Sequence, residues 1–173
     1  KFDINLEDLK HIPKTGPVVI TANHPFGVQD ALLLNSILQQ SRPDYKIMAN
    51  SFFESVEVLK DKLILVDAFR DKNRKNAAPL KETLSFLKSG GALGVFPAGT
   101  VSHLELGKKH VTDPEWSETL AGIVEISGAT VVPVHFSGRN SRLFNYAGLI
   151  HHKLRTALLP REAVKNKREI KVR

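Results

Sequence analysis

His24 and Asp30 are separated by five residues in Asn23-His24-Pro25-Phe26-Gly27-Val28-Gln29-Asp30. An imidazole titrates near neutrality. It can take the proton of a poor nucleophile, such as a hydroxyl, as that oxygen attacks an electrophilic carbon. A carboxylate on the other ring nitrogen fixes the tautomer and steadies the imidazolium that forms. The same residues also have a plainer use. Asp30 stands where a helix begins, and a carboxylate there satisfies orphan amides.

Two further segments carry residue types that a reaction needs. In Phe96-Pro97-Ala98-Gly99-Thr100-Val101-Ser102 a strand ends in a sharp turn. Gly99 lets backbone amides approach an oxyanion or a phosphate. In Val132-Pro133-Val134-His135-Phe136-Ser137-Gly138-Arg139-Asn140-Ser141 a strand leads into a polar loop with one fixed cation, Arg139. Each segment alone is an ordinary strand-end turn.

The intervening sequence supplies elements that would hold these segments. Pro17 to Ala22 is a β-branched run bounded by Gly16 and Asn23, and reads as a buried strand. Ala31 to Gln40 has apolar residues at helical spacing, stopped by Arg42-Pro43. Tyr45 to Ala49, Leu63 to Val66, Ala92 to Phe96 and Thr130 to Phe136 read as further strands. Asn76 to Lys88 reads as a helix with Asn76 as its cap and Gly90-Gly91 as its stop. Asp113-Pro114 is expected to open another helix that runs to about Ser127. Gly138 to Lys153 reads as an irregular insertion, and Leu154 to Leu159 and Glu169 to Arg173 as late strands. Alternating strands and helices predict an α/β fold, a mostly parallel mixed sheet flanked by helices. Strands that end at His24, Phe96 and Phe136 would gather all three segments at the carboxyl edge of that sheet.

With 173 residues and 42% apolar content the chain suits one domain, 1–173. It starts like the interior of a longer protein. There is no cysteine, and so no thiol nucleophile. No His-Glu-x-x-His is present, and no metal is expected. The net charge of +7 is unevenly placed: ten Lys and Arg against two acids between Gly138 and Arg173 leave the rest of the chain at −1. A basic C-terminal third predicts an anionic partner. No nucleic-acid motif interleaves those cations, so nucleic acid is not the expected one. Leu143 to Ile150, flanked by Arg139, Arg142, His151, His152, Lys153 and Arg155, reads either as apolar anchors with a basic rim that lie on anionic lipid or as aromatics packed into the core.

Taken in order, the three segments resemble the glycerolipid acyltransferase superfamily. Asn23, His24 and Asp30 match its first block. Phe96, Pro97, Gly99, Thr100 and Ser102 match its third, and Val132, Pro133 and Val134 its fourth. Leu63 to Arg70 matches the second only loosely. This resemblance covers roughly residues 10 to 140. His24 to Gly27, Phe96 to Gly99 and Gly138 to Ser141 are similar to a hemolysin-like subgroup related to acyltransferases of ornithine-type aminolipids, and that resemblance spans nearly the whole chain. Three positions depart from the wider family. His and Asp usually have four residues between them, the third-block Glu is Ala98, and the third-block Arg is Val101.

The resemblance implies a glycerol-3-phosphate acyltransferase-like fold and an O-acyltransferase acting without a bound cofactor. Acyl-CoA or acyl carrier protein would be the co-substrate and a lyso-lipid the acceptor. His24 would be the base and Asp30 its orienter. Amides near Gly99 and Thr100 would stabilise the oxyanion. Asn23, Phe26, Gly27, Phe96, Pro97, Ser102, Arg139, Asn140 and Ser141 would bind substrate. Loss of the third-block Arg favours a lyso-aminolipid over lysophosphatidic acid, unless Arg139 or Arg70 replaces it. The expected place of work is the cytoplasmic face of a membrane, with the protein attached peripherally.

Overall fold

A computed structural model describes residues 2–5, 7–55, 57–67, 77–164 and 170–173. Five strands form one parallel sheet: β2 (Val18–Ala22), β3 (Tyr45–Asn50), β4 (Leu63–Val66), β5 (Ala92–Val95) and β6 (Thr130–Val134), in the order β4-β3-β5-β2-β6. A second, two-stranded parallel sheet joins β1 (Phe2–Ile4) to β7 (Ile170–Val172). It hooks antiparallel onto the extension of β6. His135 donates its N–H to Arg173 O at 2.7 Å, and an isolated bridge links Phe136 to Val172.

Parallel neighbours need crossovers, and helices provide them. α1 (Val28–Ser41) follows β2, α2 (Ala77–Lys88) precedes β5, and α3 (Glu118–Ser127) precedes β6. Successive residues of β2 face opposite sides. Val18, Ile20 and Ala22 pack with Leu33, Leu34, Ile37 and Leu38 of α1. Val19 packs with Leu87 of α2 and Ile123 of α3. Each of these buried aliphatic side chains contributes roughly 1.5–3 kcal/mol, so β2 is clamped from both faces. At the amino edge, buried Arg42 donates to Pro13 O, Gly16 O and Gly90 O and forks onto Asp44 at 2.8 and 2.7 Å. The carboxyl edge is left for the site.

All but one of the expected strands stand where the sequence puts them, within a residue or two, and three expectations are corrected. The third helix opens at Glu118, capped by Ser117, and not at Asp113-Pro114. Gly138 to Lys153 is not irregular: Ser141 caps α4 (Arg142–Ile150). Leu154 to Leu159 is not a strand but the middle of α5 (His152–Ala163), which runs one more turn past Pro160 because its inner face is held at Glu162. The expected cap at Asn76 and the cation at Arg70 lie outside the described residues. Among the described residues no helix is long and apolar enough to cross a membrane.

Candidate active site

β2 ends at Ala22, and the next residue locks the sheet edge. The Asn23 amide exchanges two hydrogen bonds with the Phe136 backbone, donating to its O at 2.9 Å and accepting from its N–H at 2.7 Å. The ends of β2 and β6 are thereby fixed together, and His24 leaves the edge at a set place. Its backbone is tied as well. Its N–H donates to Asp113 Oδ1 at 3.2 Å, and its O accepts from Ser102 N–H at 2.8 Å.

Gly27 then reverses the chain at φ 83°. That left-handed conformation favours glycine. A Cβ there would also sit 3.1 Å from Leu159 and 3.3 Å from Val101. The turn lets α1 start at Val28 and brings Asp30 back beneath the imidazole, absorbing the extra residue between the pair.

His24 Nδ1 lies 3.1 Å from Asp30 Oδ2. Asp30 is fully buried, and the His24 side chain keeps 16% of its surface exposed. The same Oδ2 accepts the N–H of Phe26 at 2.7 Å and of Gly27 at 2.9 Å. Helix cap and imidazole orienter are therefore one carboxylate oxygen. An acceptor at Nδ1 puts the proton there and leaves the Nε2 lone pair as the basic site. The imidazole also stacks on Phe96, with ring centroids 4.1 Å apart and planes 26° apart. Phe96 occupies this place because it directly follows β5, next to β2 in the sheet. The ring is held by one carboxylate and one aromatic face, a geometry suited to general-base chemistry.

The third-block turn is built around this base. Gly99 N–H is spent inside the turn on Phe96 O at 3.0 Å, whereas Thr100 N–H has no acceptor among the described residues. Of the two expected oxyanion amides, Thr100 is the one left open. Ser102 is buried, and its hydroxyl donates to Asp113 Oδ1. Trp116 Nε1–H donates to Asp113 Oδ2 at 3.1 Å. Asp113 therefore joins the backbone of His24, the Ser102 hydroxyl and the Trp116 indole. Sequence reasoning missed this positioning residue, because Asp-Pro before a helical run has the same local pattern as a helix start.

The other expected residues divide by what their side chains touch. Phe26 is buried in the core, and a Cβ on Gly138 would lie 2.6 Å from its ring. Pro97 is buried, and its O accepts from Ser117 N–H at 3.1 Å. Asn140 is buried, and its O accepts from Asn145 Nδ2 at 3.2 Å. Ser141 gives its N–H and hydroxyl to the two oxygens of buried Glu162, at 3.0 and 2.7 Å, joining α4 to α5. Arg139 is exposed. The loop from Gly138 to Ser141 thus packs on Phe26, Asn145 and Glu162, whereas the His24 ring stacks on Phe96 and the Thr100 N–H has no acceptor among the described residues.

Residues 3–137 match the Acyltransferase family. The lyso-glycine lipid O-acyltransferase of Phocaeicola vulgatus is 26% identical over 142 residues, which is 82% of this chain and 49% of that protein. The lyso-glycine lipid O-acyltransferase of Bacteroides thetaiotaomicron is 27% identical over 143 residues, covering 82% and 50%. The chain spans about half the length of these curated relatives. The crystal structure of the 1-acyl-sn-glycerophosphate (LPA) acyltransferase PlsC from Thermotoga maritima aligns with a TM-score of 0.57, over 99% of this chain and 58% of that one. At 18% identity, that likeness is one of fold.

Proposed function

Since the chain belongs to the acyltransferase family, we propose that it transfers a fatty acyl group from a thioester donor to the hydroxyl of a lyso-lipid. The observation that carries this reading is the His24–Asp30 contact of 3.1 Å at the carboxyl edge of a parallel sheet, tied through Ser102 to a turn whose Thr100 N–H has no acceptor among the described residues. His24 Nε2 takes the acceptor proton as the oxygen attacks the thioester carbon. Thr100 N–H faces the oxyanion. The C–S bond then breaks, and the imidazolium returns the proton to the departing thiolate. The curated relatives are lyso-glycine lipid O-acyltransferases, and with valine at position 101 in place of a cation an aminolipid acceptor fits better than lysophosphatidic acid. The donor is acyl-CoA or acyl carrier protein.

The test is acyl transfer by the purified protein with each donor and a set of lyso-lipids, followed by mass spectrometry of the lipid and by thiol release. Acceptor-dependent thiol release with a matching diacylated product supports the reading. Thiol release that ignores the acceptor would make the protein a thioester hydrolase instead.

The reading includes peripheral attachment at the cytoplasmic face, where thioester donors are made. α4 supports it. Leu143, Tyr146 and Ile150 lie three and four residues apart, and are 49%, 57% and 79% exposed. Phe144 and Asn145 point the other way and are buried. Arg139, Arg142 and Lys153 are exposed at the ends of this helix. An apolar row with a basic rim suits anionic headgroups, each Lys or Arg near the surface contributing about 1 kcal/mol. The protein should float with phosphatidylglycerol vesicles but not with phosphatidylcholine alone. Leu143→Glu with Ile150→Glu should cut the bound fraction about tenfold or more; unchanged flotation of the double variant would remove α4 from the membrane contact.

A further inference from the structure

α5 turns one row of side chains toward the site: Arg155, Leu159 and Glu162. Leu159 reaches the catalytic loop, where a Cβ on Gly27 would lie 3.1 Å from it. Glu162 is consumed by Ser141. Arg155 stands about one helical turn before Leu159, four residues or about 6 Å along the axis. Its stem crosses α4 at Gly148, where a Cβ would be 3.1 Å from Arg155 Cδ.

Gly148 lies one turn past Asn145, whose Oδ1 accepts the N–H of Leu104 at 3.1 Å, so the stem of Arg155 runs beside the end of the third-block loop. His103, whose Nδ1–H donates to Val101 O at 2.8 Å, is held below the usual histidine range by burial first. The Val101 bond opposes that shift, and the charge of Arg155 adds to it. This loop is the one whose Ser102 N–H binds His24 O.

Arg155 is half-buried, and among the described residues it has no ion pair or hydrogen bond. Burial alone pushes its guanidinium below the usual range, and no carboxylate raises it. The acids that might have served are engaged: Glu162 by Ser141, and Glu105 by Lys108 at 2.9 Å. A cation taken partly out of water without a counter-charge costs free energy. A ligand anion would recover it.

We infer that Arg155 receives the anionic headgroup of the lyso-lipid acceptor, a carboxylate or phosphate held beside the 101–103 loop while the acceptor hydroxyl reaches His24. The inference rests on the acyl-transfer reading and adds the acceptor's binding group to it. The anion belongs to the acceptor and not to the donor. A pantetheine arm carries the donor's phosphates far from the thioester carbon, whereas Arg155 stands one helical turn from Leu159, which packs on Gly27 in the loop of the base. Its planar fork matches a carboxylate with two parallel hydrogen bonds. It also supplies a cation beside the loop in which position 101 has none, since Val101 is buried against Gly27.

The experiment compares the wild-type protein with Arg155→Gln and Arg155→Lys. The acceptors are an N-(3-hydroxyacyl)glycine, its methyl ester and lysophosphatidic acid. The wild type should favour a free acid over the methyl ester by roughly 10- to 100-fold in kcat/KM. Arg155→Gln should erase that preference through KM while using the ester as the wild type does, and Arg155→Lys should restore part of it. The acid that shows the preference, glycine carboxylate or phosphate, names the headgroup. Arg155→Gln should melt no lower than the wild type, because it removes an unpaired cation; a role in packing alone would lower the melting temperature and spare the preference. A preference retained in Arg155→Gln, or a wild type indifferent to the ester, overturns the inference and leaves acyl transfer standing. A wild type that acylates none of the three and no other lyso-lipid overturns both.

Discussion

His24→Ala should lower kcat/KM for acyl transfer by about 10²–10⁴-fold, the range a positioned general base contributes, while the protein stays folded. Both halves of that expectation follow from how His24 is held. Its backbone is fixed by Asp113 and Ser102, and neither bond involves the imidazole. The Asp30 oxygen beneath it keeps the Phe26 and Gly27 amides, so the turn into α1 survives. What is lost is the stack on Phe96, about 0.5–1.5 kcal/mol, and the hydrogen bond to the Asp30 carboxylate, about 1.5–3 kcal/mol. For a chain of this length that is a fall of roughly 4–18 °C in melting temperature. Activity assays beside thermal melts decide the matter. A variant that melts near the wild type and still turns over at a comparable rate would leave the imidazole without a chemical role.

How much of this was legible in the sequence depends on the range of each interaction. The five strands of the large sheet and the first two helices are local patterns, and they stand where periodicity puts them. The His24–Asp30 pair is also local, six positions apart, and a strand followed by a helix dictates its place at the sheet edge. Asp113 is different. Its partners include His24, 89 positions away, and Ser102, while its neighbours Pro114 and Glu115 mimic a helix start. Nothing in the local sequence separates the two uses. Leu154 to Leu159 misleads for a related reason. A short Leu-rich segment that stops at Pro160 reads as a short strand, but α5 is held by Leu159 against the Gly27 turn and by Glu162 against Ser141. Motif identity also marks the neighbourhood of the chemistry without sorting its members. Asn23, Ser102 and Ser141 all spend their side chains on the protein itself, and only coordinates separate such braces from groups that face substrate.

Asp30 gives the sharpest test, because one oxygen carries two functions that a single substitution can pull apart. Oδ2 serves the imidazole and two backbone amides, and Oδ1 is buried with no hydrogen-bond partner among the described residues. Asp30→Asn is nearly isosteric. With its oxygen placed at Oδ2 it keeps the amide bonds, but its NH2 then fills the Oδ1 site with donors that find no acceptor. Leaving such a buried donor unsatisfied costs about 1–3 kcal/mol, and the lost negative charge at the helix start adds about 0.3–1 kcal/mol. The melting temperature should therefore fall by roughly 3–16 °C, from about 2–4 °C per kcal/mol in a chain of this size. The reverse rotamer would set NH2 against two N–H groups and the ring, which is worse. Catalysis should suffer separately. The amide oxygen can still accept Nδ1–H, but without the negative charge nothing stabilises the imidazolium, and kcat should drop by about 10²–10⁴-fold. A destabilised variant with full kcat, assayed well below its melting temperature, would show that Asp30 is a helix cap and nothing more. A fall in both readouts is what a shared oxygen requires, and it ties the start of α1 to the basicity of the ring above it.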